Sequence, residues 1–345
     1  MKVDDIRPDS VMANQDAAMN HDVDWLAQRR DSFVPVPCPA CAGKGFHDLY
    51  EKYGMQHVAC DACGTQYVNP RPPAKLLAEF YAQSKNYAFF ARHVFPASKE
   101  ARRTQIFRPR ASRTAEIFSA AGKRGGTLVE VGAAFGLYCE EVKALDTFDR
   151  IIGIEPTPDL AQICRSLGIE TIESSYEHVK LDKPVSMIAA FEVIEHLFDP
   201  GHFLRWCHDT LEPDGVVLVT CPNIRGFETL MLGRESGAVD HEHINLFHPD
   251  SLSLLFERCG FELLEVSTPG ELDVDIVRRA LESNDVTGDV LGPVLAMCID
   301  DSRGESFQRF LSANRMSSNL RVAARRRHET RFVPPSALLP VVDFL

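Results

Sequence analysis

One stretch constrains this chain more than any other: Leu128-Val-Glu-Val-Gly-Ala-Ala-Phe-Gly-Leu-Tyr-Cys-Glu-Glu-Val142. Its opening alternates β-branched and other apolar residues, the pattern of a buried strand. It turns at Gly132 and Gly136 and then runs into a helical phase through Leu137, Glu140 and Glu141. Strand, glycine turn and helix form a nucleotide site in an open α/β sheet, where ligands bind beyond the carboxyl ends of the strands. Glycine is needed there because a Cβ would hold the ligand away from the backbone.

Two details separate the ligands such a turn can take. A dinucleotide site reads G-x-G-x-x-G and sets a pyrophosphate on the helix N-terminus. Here the order is Glu130-x-Gly132-x-Ala134-x-Gly136, with an acid two residues before the first glycine. That acid suits a positively charged ligand with an amino acid moiety better than a pyrophosphate. The next strand, Arg150-Ile-Ile-Gly-Ile-Glu155, ends in a carboxylate 19 residues after Gly136, placed to accept hydrogen bonds from both hydroxyls of a ribose.

These features together resemble the class I S-adenosylmethionine-dependent methyltransferases, whose first motif reads acid-x-Gly-x-Gly-x-Gly. Ala134 stands where that motif has its middle glycine. The resemblance implies S-adenosylmethionine as cofactor. Glu130, Gly132, Ala134 and Gly136 would line its methionine end, Glu155 its ribose and Pro156 its adenine side. It also implies a doubly wound, mostly parallel seven-stranded sheet with the last strand inserted antiparallel.

The chain's own alternation points to the same α/β class. Strand patterns at 127–131, 150–155, 169–173, 185–190 and 216–221 alternate with helical patterns at 136–145, 158–167 and 200–211, as in a parallel, doubly wound sheet. A helix at 249–259, a strand from Phe261, helices at 273–282 and 303–314, and an edge strand from Asn319 complete the reading.

Ahead of this domain lie Cys38-Pro-Ala-Cys41 and Cys60-Asp-Ala-Cys63, with 18 residues between the two pairs. Two C-x-x-C knuckles at this separation read as one structural zinc site, closed by Cys38, Cys41, Cys60 and Cys63. His47 and His57 read as surface residues of a hairpin between the knuckles. The organisation is then a loosely packed lead-in (1–33), a zinc ribbon (34–68), a linker and helical lid region (69–122), a methyltransferase domain (123–328) and an extended tail (329–345). A ribbon followed by such a domain resembles enzymes of surface-polysaccharide and natural-product sugar pathways. In that family the aromatic zone around 85–97 folds over the cofactor, which makes Tyr87 a lid candidate; core packing is the plainer reading.

Two further runs carry candidate chemistry. Phe191-Glu-Val-Ile-Glu-His-Leu197 resembles the methyltransferase motif after the fourth strand. It would place Phe191 against the cofactor and Glu192 at the pocket rim, with His196 nearby. Asp240-His-Glu-His-Ile-Asn-Leu-Phe-His-Pro249 holds three histidines within eight residues. One reading is a metal site built on His241 and His243, with His248 the remaining histidine. Another is catalytic: related sugar C-methyltransferases have Tyr-Asp-Glu-His here, matching Glu242 and His243, with Asp240 in the place of the Tyr. His243 would then serve as base for a hydroxyl or amine acceptor. A third has Glu242 and His243 holding the loop by hydrogen bonds.

The formal charge of -12 makes nucleic acid a poor general partner. The basic run Arg321–His328 is the best support for the rival reading, an RNA or other macromolecule methyltransferase that uses the ribbon for binding. A cofactor-binding scaffold without turnover and a nicotinamide dehydrogenase are more distant rivals. The acceptor implied by the resemblance is a small, sugar-bearing metabolite such as a nucleotide-linked sugar. The start is polar and lacks the apolar core of a secretory signal, and no apolar run is long enough to span a bilayer. The chain therefore reads as cytoplasmic, with no membrane role; a homo-oligomer stays open.

Overall fold

The computed structural model describes residues 1–282, 292–300 and 302–327. The tail 329–345 lies outside them. Eleven strands are described: β1 (Phe46–Lys52), β2 (Met55–Cys60), β3 (Gln66–Val68), β4 (Thr127–Val131), β5 (Arg150–Ile154), β6 (Glu170–Ile172), β7 (Val185–Phe191), β8 (Leu211–Pro222), β9 (Asn245–Leu246), β10 (Phe261–Ser267) and β11 (Asn319–Arg326).

Seven of them form one sheet in the order β10-β11-β8-β7-β4-β5-β6. The five strands from β6 to β8 are parallel, and β11 enters antiparallel to β8. This is the mostly parallel, Rossmann-like sheet of the class I methyltransferase fold. From β4 the chain moves outward to β5 and β6, then crosses to β7 on the other side. The order reverses beside β4, so a crevice opens at its carboxyl end. β4 and β7 are buried along almost their whole length, as parallel strands covered on both faces must be.

The first four-stranded sheet runs β1-β2-β3-β9. Its last strand comes from the second half of the chain and pairs Tyr67 with Asn245. The sheet built on the hairpin between the two cysteine pairs is thus completed by a strand from the second half of the chain. The ribbon's core joins the main one: Cys38, Val58 and Tyr67 pack in the same cluster as Val129 and Phe247. His57, read from sequence as a surface residue, is fully buried and stacks on Tyr50, because β2 is the covered inner strand of this sheet. His47 is exposed and pairs with Asp61.

The lead-in differs from a loosely packed segment. Helices span Val3–Ile6, Asp9–Met12 and Asp16–Ala27, and Leu26 and Asp22 are buried. Asp22 explains the order. It accepts from Ser84 Oγ (2.6 Å) and from the backbone N–H groups of Lys85 and Asn86 (both 2.9 Å). These are orphan donors at the start of the helix Lys85–Phe89. Burial alone would raise the Asp22 carboxyl. The hydrogen bonds outweigh it and hold the group below its ordinary value.

A depressed carboxyl contributes stability above its unfolded pKa and loses it as pH falls through the folded one. Asp22→Asn is therefore expected to lower the unfolding free energy by about 1–3 kcal/mol at neutral pH. Urea titrations should show that gap narrowing below about pH 4.

Candidate functional site

The glycine turn follows β4 directly. Gly132, Ala134 and Gly136 all take left-handed backbone, with φ of 77°, 47° and 69°. A Cβ on Gly132 would stand 2.8 Å from Val193, and one on Gly136 would stand 3.2 Å from Cys164 Sγ. Ala134 adopts the conformation a glycine would take, at a steric cost glycine does not carry. Its N–H donates to Glu155 Oε2 at 2.8 Å, and Thr157 N–H donates to Oε1 at 2.9 Å. Glu155 therefore ties the turn to the end of β5, and Oε2, with one donor, keeps a lone pair for a ligand. Burial raises its carboxyl, and these bonds oppose the shift.

Glu130 lies beneath the turn, where it accepts from the Cys139 thiol at 3.1 Å. Burial pushes its carboxyl up to about 8, so it is neutral near pH 7 unless a cation arrives. Tyr87 sits on the lid helix Lys85–Phe89. Burial and the neighbouring Glu155 push its hydroxyl up. Pro156 is exposed just past Glu155.

Beyond β7 the chain passes Phe191 and Glu192, the latter also left-handed, with φ of 54°. Phe191 packs against the Tyr138 ring and under the Arg110 guanidinium, 4.8 Å away. Glu192 Oε1 accepts from Thr220 Oγ1 (2.6 Å), Asn319 Nδ2 (3.2 Å) and Arg110 (3.4 Å). Phe191, Glu192, Arg110 and His243 line one cavity of ≈ 660 Å³. Glu130, Gly132, Gly136, Glu155 and Tyr87 are not on its wall, among the described residues. The site thus has two halves, a glycine-turn side and a cavity side.

His243 Nδ1 lies 2.9 Å from the Ala238 carbonyl oxygen. A carbonyl only accepts, so in the neutral ring Nδ1 carries the proton and Nε2 has the lone pair. Asp240 Oδ1 accepts from the backbone N–H groups of Glu242 (2.8 Å) and His243 (2.7 Å) and so shapes the loop. The Glu242 side chain accepts from Asn86 Nδ2 at 2.8 Å, which binds the loop to the lid. Burial, and then the Asp240 charge, push its carboxyl up to about 7.

His196 stands behind His243, ring centroids 4.7 Å apart. Its Nδ1 is 3.0 Å from the Tyr81 hydroxyl and 3.2 Å from the Glu242 carbonyl. Burial pushes it down to about 3, so the ring is neutral. It is not on the cavity wall. The structure thus brings Glu192 and His243 to the cavity and sets Glu242 and His196 behind them.

The metal reading of His241, His243 and His248 does not hold. The His241 ring faces the edges of Tyr53 and Phe80. His248 Nδ1 accepts from Ser251 N–H at the start of helix Pro249–Arg258, so its Nε2–H donates to the Cys63 carbonyl. What gathers instead is Glu195, His196 and His243, with ligand-type atoms within 4.8 Å of one another. Glu195 is fully buried, neither oxygen has a hydrogen-bond partner, and burial pushes its carboxyl far up.

The four cysteines converge as their spacing predicts. Cys38 and Cys63 Sγ atoms are 3.5 Å apart, Cys41 and Cys60 3.4 Å, and all four lie within 4.8 Å. Sulfurs about 2.3 Å from a tetrahedral zinc would be about 3.8 Å apart. Gly43 N–H and the Thr65 hydroxyl lie 3.3 and 3.0 Å from Cys41 and Cys63 Sγ, the outer contacts a thiolate cluster needs. The donor set therefore fits a structural ion.

Fold and site together define a class I methyltransferase architecture with a four-cysteine ribbon. Residues 100–266 match the family model of a methyltransferase domain. The chain is 25% identical over 150 residues to the C-methyltransferase NovU of Streptomyces niveus, covering 42% of this chain and 34% of that protein. It is 27% identical over 157 residues to the ubiquinone biosynthesis O-methyltransferase of Nitrobacter winogradskyi, covering 41% and 59%. A probable S-adenosylmethionine-dependent methyltransferase of Mycolicibacterium smegmatis is 35% identical over 129 residues, covering 32% and 48%. The chain thus spans between a third and three fifths of these curated relatives. Among solved structures, a SAM-dependent methyltransferase from Archaeoglobus fulgidus aligns with a TM-score of 0.45 at 17% identity, covering 65% of this chain and 94% of that one.

Arg110, Thr220 and Asn319, which hold Glu192, and Asn86, which holds Glu242, carry no motif and were not legible in the sequence.

Ala134→Gly should relieve the left-handed alanine. Less the extra entropy of an unfolded glycine, a gain of about 0.5–1 kcal/mol is expected. Thermal unfolding of the ligand-free protein measures it.

Proposed function

We propose that this protein is an S-adenosylmethionine-dependent methyltransferase acting on a small sugar-bearing metabolite, with His243 as general base and a structural zinc in the ribbon. The observation that carries the reading is the His243 ring, anchored through Nδ1 and facing the cavity beside the glycine-turn half of the site. The cofactor, when bound, supplies a methyl group on a sulfonium, already activated for in-line displacement. The remaining work is positioning and proton removal. Glu155 Oε2 has a free lone pair for a ribose, with Tyr87 neighbouring it. Glu130, neutral by burial, regains its charge beside a cationic methionine end. His243 Nε2 takes the proton from an acceptor hydroxyl or amine as that atom forms its bond to carbon; the sulfur keeps the electron pair of the broken bond. Glu192, fixed by three donors, orients the acceptor. Cys38, Cys41, Cys60 and Cys63 would hold the zinc and leave no open position.

The sugar-bearing acceptor is supported by the order of ribbon and catalytic domain and by the charge on the cavity wall. Arg113 and Arg321 pair with Glu265, and Arg279 with Asp9. Arg7 and Arg102 have no carboxylate partner among the described residues, and Arg102 donates to the Ile6 carbonyl and Ser98. On a wall that also carries Glu192, Glu228, Glu271 and Asp273, these two guanidiniums are the groups that suit an anionic moiety such as the phosphates of a nucleotide-linked sugar. The macromolecule reading loses support, because Arg321 and Arg325 are engaged by Glu265 and Glu262 along the sheet. The scaffold reading rested on Ala134, which takes the glycine conformation.

Transfer of labelled methyl to a fractionated lysate of the source cell tests the acceptor class. Label is expected in small molecules; label in RNA or protein would overturn the sugar reading. His243→Ala should lower kcat about 10²–10⁴-fold with cofactor Kd little changed. Unchanged kcat would remove His243 as the base.

A further inference from the structure

We infer that Arg71 is a positioning residue for the His243 loop, a buried cation that clamps the loop to the ribbon and takes its counter-charge from the metal-loaded cysteine cluster. The catalytic part of this inference rests on the proposed role of His243; the structural part does not.

Arg71 is 1% exposed. Its guanidinium forks into four neutral acceptors. Nε donates to the Val68 carbonyl (3.1 Å), Nη1 to Asn245 Oδ1 (2.9 Å) and the Phe198 carbonyl (3.2 Å), and Nη2 to the Ile244 carbonyl (3.2 Å). Two of the four acceptors belong to the residues immediately after His243. A third, Phe198, ends the loop that carries Glu195 and His196. Asn245 extends the clamp: its Nδ2 donates to the Leu197 carbonyl at 2.7 Å, and Ile244 N–H donates to the Glu195 carbonyl at 3.0 Å. Both imidazole-bearing loops therefore hang on one guanidinium.

No carboxylate lies within ion-pair distance of Arg71 among the described residues. A buried charge satisfied only by neutral dipoles is expensive unless an opposite charge stands near. Tyr67, Cys38 and the more distant Asp199 carboxylate act on its charge, and its Cζ lies 5.7 Å from the Tyr67 ring, which packs in the same cluster as Cys38, Cys41 and Cys60. Four thiolates around one divalent ion carry a net charge of about -2. A loaded ribbon adds negative charge on the Tyr67 side, beyond what Asp199 contributes; a ribbon of four neutral thiols does not. The ribbon reaches the loop by two more routes. β3 pairs with β9, and Val68 N–H donates to the Ile244 carbonyl at 3.0 Å. His248 Nε2 donates to the backbone carbonyl of the cysteine ligand Cys63 at 2.9 Å.

Amide hydrogen exchange on the full chain, zinc-loaded and after zinc removal with a chelator, tests the clamp without reference to turnover. In the wild type, removal is expected to raise exchange at 240–248 about 10-fold or more while β4 and β5 change little. Arg71→Gln should raise it similarly with zinc content unchanged. Zinc removal from that variant should then add less than it does in the wild type, the non-additivity expected of coupled groups. Arg71→Lys, which keeps the charge and loses the fork, should lie between the two and serves if Arg71→Gln does not fold. In turnover, Arg71→Gln should lower kcat about 10-fold or more with cofactor Kd unchanged, and Arg71→Lys should restore part of it. Exchange at 240–248 that ignores Arg71→Gln, or effects of variant and metal removal that simply multiply, would overturn the inference. Altered exchange together with an inert His243→Ala would keep the clamp and reject the base.

Discussion

The site depends on the reversal of strand order beside β4. With β5 on one side and β7 on the other, the turn that leaves β4 has open space ahead of it. The glycine turn, the acid at the end of β5 and the pair Phe191-Glu192 at the end of β7 all face that gap because their strands end in register. Three successive backbone N–H groups close one side of the gap: those of Gly132 and Ala133 donate to the Ile154 carbonyl and that of Ala134 to Glu155. On the other, three donors from separate elements converge on Glu192. The left-handed backbone at Gly132, Ala134, Gly136 and Glu192 is the local cost of bending four positions toward one ligand space.

What the sequence revealed is what a few adjacent residues can encode. β4 and its glycine turn, the strand–helix alternation and the four-cysteine ribbon rest on local patterns or on one repeated spacing, whereas the antiparallel last strand is implied by the family resemblance alone. Boundaries follow suit: the strand expected at 127–131 is Thr127–Val131. The rest depends on contacts that no local pattern announces. Asp22 meets Asn86 across 64 positions, Asn86 meets Glu242 across 156, and Arg71 meets Asn245 across 174. The lead-in read as loose because its helices are short and weakly periodic; a single buried carboxylate at a helix start orders it. His57 read as exposed because β2 gains its outer cover from β3 and β9, a strand far along the chain.

The ribbon is therefore better understood as a part of the catalytic domain than as an appendage. A free-standing zinc ribbon would end at β3. Here the sheet continues into β9, and the residues it captures follow His243 directly. A metal held by the four cysteines would add folding free energy to 34–68 and, through backbone pairing, the His248 link and the Arg71 fork, order to 240–248.

Burial sets the direction for most of the site's ionisable groups; Asp240 is the exception, held low against its burial by His243, His241 and His196. Glu130, Glu195 and Glu242 are all pushed up by burial, and His196 is pushed down. Each favours its neutral form because the enclosing helices exclude water. A site that is mostly neutral when empty presents few charges to repel a ligand, yet its acids are ready to ionise once a cation is near. The guanidiniums run the other way. Arg110 has Glu192, whereas Arg7 and Arg102 have no ion-pair partner among the described residues, on a wall shared with Glu228, Glu271 and Asp273. With a donor held at the glycine turn, an acceptor in the cavity would meet Phe191, Glu192 and the His243 ring, which line its wall. Orientation of that kind is the larger part of what methyl transfer from an activated donor requires of a protein.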